Sequence, residues 1–443
     1  MGQTEGKLSG TVEQPSKLEE SRLQIHSVTK VSRLLALIAI CIGTSTACLP
    51  SGGQQPSEDT ASPTAFTAPQ LGPTSTPKPV SASPIAAQPT PTIQPLDPVN
   101  EADWIRGPTD APYSFLVYCD FQSPPCAEFA RNFDALRELR PGEIELIYRQ
   151  FPLLVLNDKA GLAAELALAA DEQDAFWPMH DLLYRTQQNW TDLTTEEFIL
   201  WAQDAAQALD IDANQIAADL RNETYSEAVQ NAFVQGVNSG LPGTPFLLLN
   251  GEWFRASPTV NNLEAAIRLE ALAARQYPQP PDLEIDTDLV YIARFHLTNG
   301  DLVMQLFPES APASVSSFIF LARQGWYDDT LFHRVFPGSF VEAGDPTATG
   351  FGGAGYFLPD EIDPSLSFDR PGRLAMVNSG PDTNSSIFAI TLKRMPSWQG
   401  ARTIFGQVVE GLPLLTDLEA REPLDDLLVE PDLRILEVEI EEQ

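Results

Sequence analysis

Residues 331–345 have the sequence LFHRVFPGSFVEAGD, and this segment determines the fold expected for the C-terminal part of the chain. Phe332–Val335 is predicted as a short strand, Pro337-Gly338 as a turn and Ser339–Ala343 as a second strand. Arg334, in the first strand, carries a guanidinium that stays charged at any working pH and presents a planar fork of donors. Beside an apolar pocket, such a cation can bind a peptide amide without acting as acid, base or nucleophile.

Three further segments follow this hairpin in a fixed order. They are GDP with TGFGGAGY (344–356), GRLAMVNSGPDTNSS (372–386) and TIFGQVVEG (403–411). Together with FHRV and the Pro-Gly turn, they resemble the signature of the cyclophilin-type peptidyl-prolyl isomerases, from about Tyr291 to the C-terminus. The resemblance implies a cyclophilin-like closed β-barrel with flanking helices, prolyl isomerisation as the activity, proline-containing polypeptides as substrates and no cofactor.

The resemblance also assigns roles to individual residues. It gives the catalytic cation as Arg334 and a catalytic backbone contact as Asn378. The substrate-binding residues that it implies are Phe332, His333, Phe340, Glu342, Phe388 and Trp398.

This chain departs from the family at several pocket positions. The substituted positions are Ser339 (Phe in the family), Phe340 (Met), Glu342 (Gln), Ile387 (Gln), Ala389 (Phe) and Ser397 (Trp, with Trp398 adjacent). These changes thin the walls that hold the proline ring, and Glu342 can pair with Arg334. We therefore expect weakened catalysis, because a cation alone does not secure a rate without its pocket. A non-catalytic peptide-binding or holdase scaffold is the alternative.

An earlier folded segment, residues 101–277, alternates strands with Ala-rich amphipathic helices, one of them predicted over Asp212–Val237. Asp120-Phe121-Gln122, FWPMHDLL (176–183) and Gly243-Thr244-Pro245 resemble the DsbA-like disulfide oxidoreductases. The resemblance implies an α/β thioredoxin-like fold with a helical insertion and a cis-proline at Pro245.

The redox site of this family is degenerate in the chain. Ser123 stands where the family has its first redox cysteine, and only the second, Cys126, remains. Because a serine hydroxyl cannot form a mixed disulfide, we expect a redox-inactive domain. Thiol oxidoreductase chemistry at Cys126 alone, or a redox pair of Cys126 with Cys119, remains open, since spacing does not give their separation. Pro245 is compatible with peptide binding and equally with retention of the fold.

The N-terminal residues 1–48 have the pattern of a secretory signal. A basic start precedes the apolar run Leu34–Gly43, which is shorter than the about 20 residues that span a bilayer. Small residues then end at Cys48, as in the lipobox of bacterial lipoproteins, although Ser45 stands where that family prefers Leu. We expect a membrane-anchored lipoprotein of the bacterial cell envelope, lipidated at Cys48, or a secreted protein. An uncleaved anchor and a cytosolic protein are the alternatives.

The composition of the chain predicts two linkers and restricts the possible partners. Residues 49–98 are rich in Pro, Ser and Thr and are predicted as a disordered linker, with a shorter linker at 278–287 before a cyclophilin-like domain at 288–443. The 61 acidic and 27 basic residues give a net charge of -34, which disfavours nucleic acid as a partner. No spacing of His and Cys predicts a metal site.

Overall fold

The structure is a computed structural model, and it describes residues 93–282, 285–431 and 433–443. The predicted signal, Cys48 and the linker up to residue 92 lie outside the described residues. Within the described ranges, no helix has both the length and the apolar character that crossing a bilayer requires.

The first domain is built on a five-stranded sheet with the order β1-β3-β2-β4-β5. Its strands are Trp104–Arg106 (β1), Tyr113–Cys119 (β2), Ile144–Gln150 (β3), Phe246–Leu249 (β4) and Glu252–Trp253 (β5). Its helices are Pro124–Leu139 (α1), Ala160–Asp171 (α2), Phe176–Arg185 (α3), Gln187–Trp190 (α4), Thr195–Ala208 (α5), Ala213–Arg221 (α6), Ser226–Asn238 (α7) and Val260–Leu272 (α8). The parallel pair β2–β3, the antiparallel pair β2–β4 and the helices between β3 and β4 confirm the thioredoxin-like fold with a helical insertion.

Local signals explain where the inserted helices begin and end. Thr194 and Glu197 form a reciprocal capping box at the start of α5, and Asp212 caps α6 by accepting from two backbone N–H groups. The single helix predicted over Asp212–Val237 is wrong, because Glu223 adopts a left-handed φ of 54° and separates α6 from α7.

The second domain is a nine-stranded sheet with the order β8-β14-β6-β7-β13-β11-β12-β10-β9. Its strands are Tyr291–Leu297 (β6), Gly300–Leu306 (β7), Thr330–Leu331 (β8), Arg334–Phe336 (β9), Phe340–Ala343 (β10), Arg373–Met376 (β11), Phe388–Thr391 (β12), Ile404–Glu410 (β13) and Arg434–Glu442 (β14). One helix of this domain, Pro312–Arg323 (α9), begins with a proline, as predicted. The chain passes from one edge strand, β8, to the other, β9, through two residues, and the curled antiparallel sheet confirms the predicted cyclophilin-like barrel.

Those two residues correct one predicted strand. The sequence predicts Phe332 and His333 in a strand with Arg334, but they lie between β8 and β9. The ladder of β9 with β10 begins only at Arg334, which pairs with Glu342. Phe332 and His333 instead turn into the barrel, where they are 2% and 0% exposed.

The last helix of the first domain, α8, packs against the second domain. Asn261 donates from Nδ2 to the carbonyl oxygens of Leu424 and Asp425, and Arg268 donates to the carbonyl oxygen of Thr347 at 3.3 Å. A small apolar cluster forms the same contact; its members are Ala265, Leu331, Ala348, Leu424 and Leu427. The two domains therefore meet through a packed interface as well as a covalent link.

Candidate active site

The β9–β10 hairpin fixes the position of the predicted catalytic cation. Gly338 has a φ of 65°, which a residue with a Cβ rarely adopts, and this lets the chain reverse after Pro337. The resulting register places Arg334 directly opposite Glu342. Because β10 also pairs with β12, Glu342 is held between two strands and its side chain is only 4% exposed.

Two carboxylates orient the guanidinium of Arg334. Its Nη1 donates to Glu342 Oε2 at 2.6 Å, and its Nε donates to Glu422 Oε2 at 3.4 Å. Within the described residues, no partner is found for its third nitrogen, Nη2, which lies 3.7 Å from the point where a Cβ on Gly350 would be. The Arg334 side chain is 32% exposed, and the two N–H donors of Nη2 are not used by another group of the described chain.

Aromatic side chains share the hairpin face of this cation, because Phe336 and Phe340 lie two residues from Arg334 and Glu342 along β9 and β10. The Phe340 and Trp398 rings are 4.9 Å apart in a T-shaped arrangement, and Phe336 packs on Phe340 at 4.8 Å. Phe368 lies behind Trp398 at 5.7 Å. Phe340 and Trp398 are both partly exposed, so the predicted pair of apolar binding residues is brought together at the surface near Arg334.

A cleft of about 430 Å³ lies next to Gly350 and has Asn378 in its wall. The Asn378 amide donates to the carbonyl oxygen of Ala401 at 3.1 Å and to Asp360 Oδ1 at 3.2 Å, which fixes its backbone at the cleft. The rings of Phe351 and Phe357, also in the wall, are 70% and 68% exposed. The cleft therefore offers a fixed polar backbone beside uncovered apolar surface.

Three predicted substrate-binding residues lie in the barrel core. Phe332 is 2% exposed, His333 0% and Phe388 1%. Burial lowers the pKa of His333 to about 4, with the charge of Asp345 acting in the opposite direction, so the ring is neutral near pH 7. These side chains support the hairpin from behind, and their direct contact with a substrate stays a prediction.

Two charged residues of the site were not found from the sequence. Arg402 stacks on Trp398, with Cζ 4.4 Å from the ring centroid. Its burial lowers its pKa, an effect that the Glu342 carboxylate opposes. Arg402 directly precedes the TIFG segment, which is a usable signal, whereas Glu422 lies in a region without any recognised pattern.

Comparison with known proteins identifies the second domain. Residues 292–440 match the family model described as cyclophilin type peptidyl-prolyl cis-trans isomerase/CLD. Peptidyl-prolyl cis-trans isomerase-like 1 of Gibberella zeae is 45% identical over 118 residues, which are 26% of this chain and 73% of that protein. The human protein of the same name is 36% identical over 160 residues, which are 34% of this chain and 90% of that protein. The chain belongs to the cyclophilin-type peptidyl-prolyl cis-trans isomerase family. Its activity is peptidyl-prolyl cis-trans isomerisation, and its substrates are proline-containing polypeptides.

Two further matches complete the comparison. A solved cyclophilin-type isomerase structure from Cryptosporidium parvum covers 34% of this chain and 98% of its own chain, at 32% identity and a TM-score of 0.32. Residues 99–268 match the family model described as Thioredoxin. The two family-model matches show that the chain joins a cyclophilin-type domain to a thioredoxin-like domain.

The thioredoxin-like domain holds its two cysteines in a buried disulfide. Cys119, the last residue of β2, bonds Cys126 in the first turns of α1, with 5.9 Å between the Cα atoms. Cys119 is 1% exposed and Cys126 is 0% exposed. Ser123 is the N-cap residue of α1 and is 5% exposed, and the Thr244–Pro245 peptide bond is cis, as predicted. Both sulfurs are therefore covered, and Ser123, itself buried, stands where the DsbA-like family has its first redox cysteine.

The part of the chain that the structure describes contains no candidate metal-binding site. No group of three or more His, Cys, Asp or Glu side chains is placed to hold an ion there. The carboxylates at the isomerase site are instead paired with Arg334.

Proposed function

We propose that this protein is an extracytoplasmic, membrane-tethered folding factor whose cyclophilin-type domain isomerises prolyl bonds and whose thioredoxin-like domain is redox-inactive. The observation that carries the isomerase site is the Nη2 donor of Arg334, which has no partner in the described chain and lies beside the cleft at Gly350. Asn378 lines this cleft, and the Phe340–Trp398 pair lies next to Arg402, whose pKa responds to the charges of Arg334 and Glu342.

The chemistry of the reaction needs no titrating group. Rotation about a prolyl bond must overcome an amide resonance barrier of about 18–20 kcal/mol. A guanidinium donor directed at the prolyl nitrogen stabilises its pyramidal, twisted form, which occurs only near the transition state. The Phe340 and Trp398 rings would hold the proline ring while the acyl group of the preceding residue rotates about the amide bond. In this arrangement Arg334 provides the electrostatic stabilisation and the rings provide the position.

An isomerase assay on the full chain tests this assignment. Cis-to-trans conversion of an Ala-Pro peptide is followed with and without Arg334→Ala, which is expected to lower kcat/KM by about 100-fold or more, as for the loss of one transition-state donor. Arg370→Ala is the matched control, since Arg370 is 60% exposed on the same domain and pairs with Asp369. Equal rates for wild type and Arg334→Ala would remove Arg334 from the mechanism.

Redox inactivity is supported by the burial of both sulfurs. A disulfide exchanges only when a thiolate can reach it, and Cys119 and Cys126 are at most 1% exposed. We expect no catalysis of insulin reduction by the wild type and no difference on Cys126→Ala. A Cys126-dependent rate would instead support the thiol oxidoreductase alternative.

Location outside the cytoplasm is supported by the apolar run before Cys48 and by the disulfide, because disulfides persist in oxidising compartments. Expression in a bacterial host with a labelled fatty acid tests the anchor. Label and membrane association are expected for the wild type and not for Cys48→Ala. Recovery of unlabelled wild type in the cytoplasmic fraction would contradict both parts of the proposal.

A holdase role is a second candidate, because Glu342 and Glu422 occupy two of the three nitrogens of Arg334. Aggregation of an unfolded client is measured with wild type and Arg334→Ala. Equal protection by both proteins, together with a very low isomerase rate, would favour binding over catalysis.

A further inference from the structure

The segment that links the two domains forms part of the wall of the isomerase cleft. After α8, Gln276 donates from Nε2 to the carbonyl oxygen of Gly353 at 2.9 Å. Tyr277 donates its backbone N–H to the carbonyl oxygen of Ala354 at 2.8 Å. Gln276 lines the same cleft of about 430 Å³ as Asn378. A residue from outside the cyclophilin-type domain therefore borders the space beside the catalytic site.

The glycine-rich loop is shaped for this contact. Gly355 has a φ of 95°, and a Cβ there would lie 2.6 Å from the Tyr277 carbonyl oxygen and 2.8 Å from the Gln276 Cβ. The Tyr277 ring packs on Phe320 at 5.0 Å and on Trp326 at 6.4 Å. Only a glycine fits at 355 with the linking segment in this position, so the approach is close and specific.

The position of the cleft relative to Arg334 suggests what it binds. Gly350 lines the cleft and lies near Arg334 Nη2, so a polypeptide whose proline is held at Arg334 would extend a flanking residue across the cleft. The exposed rings of Phe351 and Phe357 favour an apolar flanking side chain. The Gln276 amide oxygen has no partner within the described residues and can accept from a substrate N–H.

We propose that Gln276 is a specificity-determining residue of the isomerase, so that the thioredoxin-like domain helps to select the residue that flanks the substrate proline. The inference rests on isomerisation at Arg334. It assigns the substrate class as extended polypeptides with a bulky apolar residue near the proline. That residue would contact the Phe351 and Phe357 rings and the Gln276 amide.

Charge substitutions at Gln276 test this directly in the full chain. Peptides are compared that place Leu, Glu or Lys at each position within two residues of the proline. Gln276→Glu is expected to change the ratio of kcat/KM for Lys and Glu peptides by about threefold to tenfold at one flanking position, and Gln276→Lys in the opposite direction, a size typical of one charge-assisted contact.

The matched control is Gln279→Glu, which adds the same charge to an exposed residue of the same link that does not line the cleft. It is expected to leave the ratio unchanged. Equal ratios for wild type and both Gln276 variants, with normal rates, would overturn the proposal, whereas absence of isomerisation in the wild type would instead overturn the assignment of Arg334.

A second variant acts from the opposite side of the contact. Gly355→Ala is expected to displace Gln276 and Tyr277, and so to lower the preference for Leu over Ala peptides by about threefold, the size of a partly lost apolar contact. An unchanged preference in a folded Gly355→Ala protein, confirmed by its circular dichroism, would contradict a role for the link in selection.

Discussion

Arg334 and Glu342 face each other across the β9–β10 hairpin, with 2.6 Å between Nη1 and Oε2. The Glu342 side chain is 4% exposed, whereas that of Arg334 is 32% exposed. The carboxylate therefore holds the cation from the protein side while leaving its outer edge open. This pair both orients the catalytic group and competes with the substrate for it.

Glu342→Gln is expected to raise kcat/KM by about twofold to tenfold. A neutral amide binds Arg334 Nη1 more weakly than the Glu342 carboxylate does, so Nη1 becomes available to the substrate, although the charge-assisted hydrogen bond to Glu342 is lost. The rate is measured with the same proline peptide for each protein. Glu422→Gln is the matched control and should have a smaller effect, since Glu422 is 49% exposed and contacts Nε at 3.4 Å. A lower rate for Glu342→Gln would show that orientation outweighs competition.

Arg334→Ala is expected to destabilise the second domain by about 1–3 kcal/mol, because it leaves the buried Glu342 carboxylate without its partner, in a site that solvent partly screens. Urea denaturation measures the free energy of unfolding. The double variant Arg334→Ala/Glu342→Gln should recover most of this stability but no activity. Recovery of activity in the double variant would mean that Arg334 acts only through the fold.

Cys126→Ala is expected to reduce the stability of the thioredoxin-like domain by about 2 kcal/mol, as for a disulfide that closes a short loop. The bridged residues are 7 apart in the sequence. Isomerase kcat/KM should stay the same, because the disulfide lies in the other domain. Unchanged unfolding of Cys126→Ala would indicate that the bridge does not constrain the chain.

We expect His333 to make the second domain less stable in acid. Its pKa is about 4 when folded because of burial, and the nearby charges of Arg334 and Arg421 lower it further while Asp345 raises it. An unfolded histidine titrates near pH 6.5, so the unfolded chain binds the proton first and stability is lost as the pH falls from about 6.5 to 4, by about 3 kcal/mol in total.

The measurement is the free energy of unfolding between about pH 7 and 4, compared for wild type and His333→Phe. We expect the variant to lose less stability over this window. His296→Asn is the control, because a hydrogen bond to Asp301 raises the pKa of His296 and its contribution is therefore lost as the pH rises. Parallel curves for wild type and His333→Phe would exclude His333 as the cause.

Local patterns predicted the hairpin with Arg334 and the start of α9 at Pro312, and the resemblance to the DsbA-like family implied the cis bond before Pro245. Each depends on residues that are close in the sequence and carry a recognisable motif. The Arg334–Glu342 pair was anticipated because Glu342 stands where the cyclophilin family has a glutamine.

The unpredicted features depend on how the chain packs in three dimensions, whether their residues are near or distant in the sequence. Glu422 reaches Arg334 from a segment without periodicity, whereas Arg402 stacks on Trp398 within the single loop that precedes β13. The Cys119–Cys126 bond needed the geometry of the turn between strand and helix. The burial of Phe388 depends on the packing of the whole barrel. No local pattern carries such information.

Leu272 and Tyr277, which precede the sequence-defined boundary at residue 278, pack with the core of the barrel. Most residues of the link at 278–282 are exposed, so a protease is expected to cleave the chain there. The two fragments should then stay associated, because the segment before the cut remains packed in the barrel core. The nicked chain should migrate as two bands under denaturing conditions and elute from a sizing column as one species.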